Sequence, residues 1–183
     1  MYLPVKKKAK KAKKKLTGQV RPARLSDIPS IYKVIRENPK EVLPRSYPDL
    51  SRNFDRFLVY EDKGRIKGVI SWQVLPNIDL NEESTLEIVS LSVRKRYQKQ
   101  GIGRMLVNKM IRKLEKFEPD RILVLTYYPR FFKKFGFKRV SKRRLYPKIY
   151  AGCINCTKYL SPLACPEKAM VRIVKRKQTE VSE

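Results

Sequence analysis

The chain has 183 residues, 44 lysines and arginines against 17 aspartates and glutamates, a net charge of +27, 42% hydrophobic residues, three cysteines and no histidine. A chain near 150 residues buries about 70% of its unfolded surface, so this length suits one domain with a substantial core. The absence of histidine excludes Ser-His-Asp and Cys-His catalysis, His-ligated zinc enzymes and HExxH proteases, each of which needs an imidazole as base or ligand.

Eight lysines fall between Lys6 and Lys15, interrupted only by Ala9 and Ala12. Such a run cannot bury apolar surface. Residues 1–18 are therefore expected to form a solvated, disordered or frayed helical tail, whose functional reading is weak, salt-sensitive attraction to RNA, ribosomes or acidic proteins. The remaining positive charge (Arg94, Lys95 and Arg96; Lys142, Arg143 and Arg144; Lys175, Arg176 and Lys177) is spread through the body without the aromatic-rich strands of an RNA-recognition domain. A first strand is expected over residues 19–24. Ser26 or Asp27 can then cap a helix carrying Ile28, Ile31, Val34 and Ile35 at helical spacing. Pro39, Pro44 and Pro48 interrupt the chain. Strands over residues 57–60 and 66–74 flank Asp62-Lys63-Gly64 and read as an antiparallel hairpin. A turn over residues 77–83 precedes a fourth strand at 86–93. An amphipathic helix follows over 102–117, with Met105, Leu106, Met110, Ile111 and Leu114 inward. Residues 122–125 form a buried strand, 129–135 a short helix ended by Gly136, and a sixth strand starts at Phe137. The order predicts an α/β or α+β fold, a mixed sheet with helices on its faces. The divisions expected are a tail (1–18), a core domain (19–145) and a cysteine-containing segment packed on it (146–183).

No apolar run approaches the roughly 18 to 20 residues of a membrane helix, and the N-terminus lacks the apolar core of a signal peptide. An odd cysteine count argues against a secreted disulfide scaffold. The expected location is the reducing cytoplasm.

The sharpest local signal lies where the fourth strand meets its helix, in Gln98-Lys99-Gln100-Gly101-Ile102-Gly103-Arg104. A glycine-containing turn opening a helix presents unpaired backbone N–H groups at the positive end of the helix dipole, which makes an anion seat. Gly101 and Gly103 carry no side chains to block a pyrophosphate from the amides of residues 99–104. Taken alone, such glycines are as often plain turn residues. The pattern is neither GxGxxG nor GxxxxGK[ST], which argues against a dinucleotide fold or a P-loop NTPase.

The stretch from Val93 to Gly103, after a strand carrying Glu87 and before a long helix, resembles the coenzyme A motif [R/Q]xxGx[G/A] of GNAT-superfamily acetyltransferases, and the element order is similar from about Gln19 to Val140. The resemblance implies a mainly antiparallel sheet of six to seven strands, with the fourth and fifth strands splayed apart so that pantetheine of acetyl-CoA adds to the open edge. It implies that the main chain of Leu91, Ser92 and Val93 pairs with pantetheine and that residues 98–104 hold the pyrophosphate. It further implies direct acetyl transfer from a thioester to an amine. A base helps an amine that must be neutral to attack. The position of Glu87 resembles that of the family's base, although a strand glutamate can equally be a surface residue or an ion-pair partner. Many relatives supply a tyrosine as acid in the short helix four residues before its glycine. Here that place is Phe132, leaving Tyr127, Tyr128 or solvent as substitutes.

Val42-Leu43-Pro44-Arg45-Ser46, the segment from Leu125 to Phe137, and the segment from Pro147 to Met170 together resemble short, single-domain N-acetylglutamate synthase-like GNATs of arginine biosynthesis. That narrower likeness implies an amino-acid acceptor, L-glutamate first. Arginine suits a carboxylate because its fork makes paired charge-assisted hydrogen bonds. Arg45, with Ser46 beside it, is the first choice for that role and Lys148 the second. A departure is Val89, where these relatives usually carry arginine.

Cys153, Cys156 and Cys165 form C-x₂-C-x₈-C. A closed zinc site wants four ligands, and the fourth would have to be Glu167, another carboxylate, a water or a second subunit's group. Reduced thiols, or a C-x-x-C disulfide formed on isolation, are the alternatives, and none of the three is needed as a nucleophile. Other readings of the chain are a protein or polyamine acetyltransferase of the same fold and a non-catalytic basic RNA- or ribosome-associated module; a homodimer is the assembly considered for the enzyme.

Overall fold

The computed structural model describes residues 16–77, 81, 83–154, 156 and 158–174. The lysine run and the cluster at 175–177 lie outside the described residues, as does part of the expected turn over 77–83.

Seven strands form one sheet: β1 (Gln19–Pro22), β2 (Leu58–Asp62), β3 (Arg65–Leu75), β4 (Thr85–Val93), β5 (Arg121–Thr126), β6 (Lys138–Arg139) and β7 (Lys168–Ile173). Their spatial order is β1-β2-β3-β4-β5-β7-β6. Every neighbouring pair is antiparallel except β4 and β5, which are parallel. The expected β2–β3 hairpin is present. Lys63 (φ 50°) and Gly64 (φ 69°) both take positive φ, as a two-residue turn that matches strand twist requires.

The helices are α1 (Ile28–Arg36), α2 (Tyr47–Arg52), α3 (Ile102–Leu114), α4 (Pro129–Lys133) and α5 (Tyr146–Lys148), the last continuing into a π-helical turn over Ile149–Cys153. The first helix starts after a 3₁₀ turn in which the Asp27 carboxylate accepts the Arg24 N–H at 2.8 Å and pairs with Arg21 at 2.6 Å. Its apolar stripe of Ile28, Ile31, Val34 and Ile35 packs with Leu50, Phe57, Val59 and Val69 on one sheet face. On the other face α3 and α4 bury Leu106, Met110, Leu114 and Phe132, together with Phe137 just before β6, against Ile70, Ile88, Ile122 and Val124. Gly68 on β3 permits the close approach of α3, since a Cβ there would stand 2.9 Å from Ile102 Cγ2. Among the described residues no helix is long and apolar enough to cross a membrane.

Three elements differ from the sequence expectation. The third helix ends at Leu114 and finishes in a 3₁₀ turn over Glu115–Phe117, closed by Glu118 at φ 49°. Helix α2 forms within the proline-rich stretch because Pro48 sits in its first turn, where the missing N–H has no partner to lose, and Ser46 Oγ accepts the Asp49 N–H at 3.3 Å. Strand β7 enters the sheet between β5 and β6, with Met170 in one core and Ala169 and Val171 in a third cluster with Leu75, Leu123 and Leu145. It is covered on both faces, so its short apolar run carries no alternation.

Candidate active site

The parallel β4–β5 ladder runs from Thr85↔Arg121 to Ile88↔Val124 and stops there. Strand β4 continues to Val93 without a partner on the β5 side. The divergence coincides with a bulge: on β3, Val69 faces Ser92 but Ser71 faces Val89, so β4 holds an extra residue, and Ser90 takes φ 54°. The extra residue bends the strand away from β5 and opens a cleft of about 700 Å³. Its walls carry Leu91, Ser92 and Val93 on one side and residues 124–128 on the other, and it reaches Gln98, Lys99 and Gly103 at one end.

That end is held rigidly. Asn38, 5% exposed after α1, donates to Ser92 Oγ at 2.7 Å and to the Val93 carbonyl at 3.1 Å. The Gln98 side chain donates to Asn38 Oδ1 at 3.0 Å and to the same Val93 carbonyl at 3.1 Å. The side chain of Gln98 is thus spent within the protein, and only its main chain is left for the expected anion seat. Lys99 (φ 60°) and Gly101 (φ 102°) are both left-handed, and this alternation turns successive amides toward one side at the start of α3. The Ile102 side chain is buried in the core, so Ile102, like Gln100, Gly101 and Arg104, offers main chain there and is not part of the cleft wall.

Strand alternation places Glu87 on the α1–α2 face, because Leu86 and Ile88 point into the α3 core. Glu87 is 1% exposed, and its Oε2 accepts from Gln73 Nε2 at 2.7 Å and Lys148 Nζ at 2.8 Å. Burial pulls the Lys148 ammonium pKa down and the Glu87 carboxylate pulls it up; the net direction is upward. Arg45 grips Asp49 with Nε and Nη2, donates from Nη1 to Ser90 Oγ at 3.3 Å and lies over the Phe57 ring. Hydrogen bonding from Arg45 holds the Asp49 carboxyl below the ordinary aspartate value. Arg45 and Asp49 both line the cleft, whereas exposed Ser46 caps α2 outside it.

The C-terminal segment forms the opposite wall. Tyr127 and Tyr159 share a hydroxyl–hydroxyl hydrogen bond of 2.5 Å. Burial raises the Tyr127 pKa, and the bond to Tyr127 pushes Tyr159 up to about 12, so both stay protonated at neutral pH. Tyr128 is more exposed and donates to Glu41 Oε1 at 3.2 Å. Phe132 is packed edge-on against Phe131 and Phe137 and carries no proton to give. Lys142 Nζ donates to the Cys165 carbonyl at 2.5 Å, and Lys158 Nζ to the Lys40 carbonyl at 2.7 Å and the Pro39 carbonyl at 3.5 Å. Cys153, Cys156 and Cys165 are free thiols on the same wall, and burial raises the pKa of Cys153 and Cys165. Among the described residues no three His, Cys, Asp or Glu side chains are grouped to hold a metal ion.

The model of the acetyltransferase (GNAT) family matches residues 25–137, which spans the splayed strands and the amide-rich turn. The chain belongs to the GNAT acetyltransferase family. An uncharacterized N-acetyltransferase of Chlorobaculum tepidum is 33% identical over 155 residues, covering 84% of this chain and 94% of that relative. Among solved structures, the N-acetylglutamate synthase of Neisseria gonorrhoeae, complexed with coenzyme A and N-acetyl-glutamate, superposes with a TM-score of 0.69 at 24% identity, covering 89% of this chain. This chain spans 36% of that synthase. A Mycobacterium tuberculosis protein in complex with CoA has a TM-score of 0.70 at 21% identity, covering 86% of this chain and 99% of that one.

The residues of this GNAT acetyltransferase also pass a physical test for a coenzyme A thioester. A strand edge without a partner, a turned row of amides and an apolar channel between them complement pantetheine, diphosphate and acyl group in that order. Sequence reasoning missed Asn38, Gln73, Tyr159 and Lys158. Asn38 carried a faint signal, as an Asn-Pro at a helix end; the other three gain meaning only from partners distant in the chain.

Proposed function

We propose that this enzyme moves the acetyl group of acetyl-CoA to the amine of a small amino acid, with L-glutamate first among acceptors, as in the opening acetylation of arginine biosynthesis. The observation that carries this reading is the bridged mouth of the cleft. Lys158 on the C-terminal wall is tied to the Lys40 and Pro39 carbonyls on the facing rim, and Tyr128 reaches Glu41 beside them. Such a bridge opposes entry of a polypeptide, while a free amino acid is small against a cleft of about 700 Å³. Arg45 and Lys148 line that space paired with Asp49 and Glu87, while Lys142 and Lys158 are bonded to carbonyls and bring positive charge suited to an acceptor carboxylate.

When bound, acetyl-CoA supplies an activated acyl group whose sulfur can leave. The main chain of residues 91–93 aligns the pantetheine arm, and the amides at the start of α3 hold the diphosphate. Glu87, fixed by Gln73, accepts the proton that the acceptor ammonium must lose before its nitrogen attacks. Tyr127, protonated and held by Tyr159, donates to the departing sulfur and is reprotonated by the second proton that the acceptor nitrogen sheds as the amide forms.

A thiol-release assay with the full chain over free amino acids, polyamines and peptides tests the reading. Saturable turnover of L-glutamate or a close relative is expected, with peptides and polyamines inert. Turnover confined to a polyamine or peptide overturns it, and salt-dependent RNA binding without any acetyl-CoA-induced rise in Tm favours the non-catalytic module. Replacing Lys158 with Ala, which unties the rim, is expected to let dipeptides in with little effect on acetyl-CoA affinity.

A further inference from the structure

Glu87 and Lys148 form the most enclosed ion pair facing the cleft: the carboxylate is 1% exposed and the lysine side chain 14%. Removing one member of such a pair leaves the other charge uncompensated in a medium of low dielectric, which is strongly unfavourable. The position that Lys148 Nζ holds on Glu87 Oε2 is also the position an acceptor ammonium needs if Glu87 is to take its proton. A simple amine can reach it only by stranding the lysine. An α-amino acid can do otherwise, because its ammonium and carboxylate sit on one carbon. Its ammonium takes the place of Lys148 on Glu87 while its carboxylate receives the displaced lysine, giving an alternating row of four charges with no net charge buried.

We infer that Lys148 makes the enzyme selective for α-amino acids, the acceptor inserting between Glu87 and Lys148 by exchange of ion pairs. This rests on the acceptor reading above and adds the residue that enforces it. Gln73 stays on the same Glu87 oxygen at 2.7 Å and keeps the carboxylate in place while the lysine moves. Gly152 places no side chain against the lysine: a Cβ there would be in van der Waals contact with Nζ, at 3.6 Å. Of the titratable groups nearby, Glu87 is the one hydrogen-bonded to Nζ, whereas Glu167 and Cys153 act on Lys148 through charge without a hydrogen bond, and burial raises the pKa of both.

The test compares kcat/KM of the full chain for its amino-acid acceptor, L-glutamate by expectation, and the decarboxylated counterpart, γ-aminobutyrate. Wild-type protein should prefer the amino acid by about 100-fold or more, the size of a lost charged contact in a buried site. Lys148→Met should bring that ratio below about 10-fold while the Kd for CoA is unchanged, and Lys148→Arg should retain the preference. Calorimetry of CoA-bound wild-type protein with the two unacetylated amines needs no variant and should show the same discrimination. Equal use of both amines by the wild type, or an unchanged ratio in Lys148→Met, overturns the inference. Failure of the underlying reading looks different: CoA binds, yet no free amine is turned over.

Discussion

Asn38 and Val93, 55 positions apart, are joined by a hydrogen bond of 3.1 Å that fixes the point where β4 leaves the sheet and enters the amide-rich turn. The same carbonyl takes the Gln98 side chain, so one buried asparagine sets the position of strand edge and anion seat together. Replacing Asn38 with Ala should cost about 1–3 kcal/mol, the penalty for leaving buried partners unsatisfied, and should weaken CoA binding in step. Denaturant unfolding and calorimetry check both; an intact CoA affinity in a destabilised protein would separate the clamp from the site.

The two glycines of the turn should respond differently. Gly101 has φ 102°, where any side chain is strained, so Gly101→Ala should cost about 1–2 kcal/mol and lower CoA affinity about 10-fold by turning the amides away. Gly103 lies in helical backbone, and an added Cβ would meet Phe131 at an ordinary 3.7 Å. Gly103→Ala should change stability by no more than about 0.5 kcal/mol, while CoA affinity should fall because the added methyl stands at the end of the cleft expected to hold the diphosphate.

Glu87→Gln keeps the shape of the side chain and the bond from Gln73 but removes the base. The rate should fall about 10²- to 10⁴-fold, most severely at low pH where more of the acceptor amine is protonated. CoA binding should survive. A rate profile matching wild type across pH would exclude Glu87 as the proton acceptor.

Arg45 has a catalytic-site and a structural consequence. Arg45→Ala should raise KM for a dicarboxylate acceptor about 10-fold or more while sparing CoA affinity. Because Arg45 holds Asp49 below its ordinary value of 3.8, the stabilisation from this pair is complete above that pH and is lost as pH falls through the lower folded value. The Tm difference between wild type and Arg45→Ala should therefore persist at neutral pH and shrink below about pH 4. A constant difference down to strong acid would show that the ion pair is not its source.

Local chemistry was enough to read much of this protein from its sequence. The 3.6-residue apolar spacing of α1 and α3, the Lys63-Gly64 turn and the glycine turn after β4 depend on residues near one another in the chain, and each appears where that spacing requires. The sequence also marked Glu87, Arg45, Lys148 and Tyr127 as candidates, and all four line one cleft. Their pairings were decided only in three dimensions. Lys148 reaches Glu87 across 61 positions, Tyr159 reaches Tyr127 across 32 and Lys158 reaches Lys40 across 118. The bulge at Ser90 and the entry of β7 between β5 and β6 likewise answer to neighbouring strands and not to adjacent residues. Periodicity reports which face of an element is buried; which distant charge or hydroxyl meets that face depends on how the whole chain packs, and no short-range pattern encodes it.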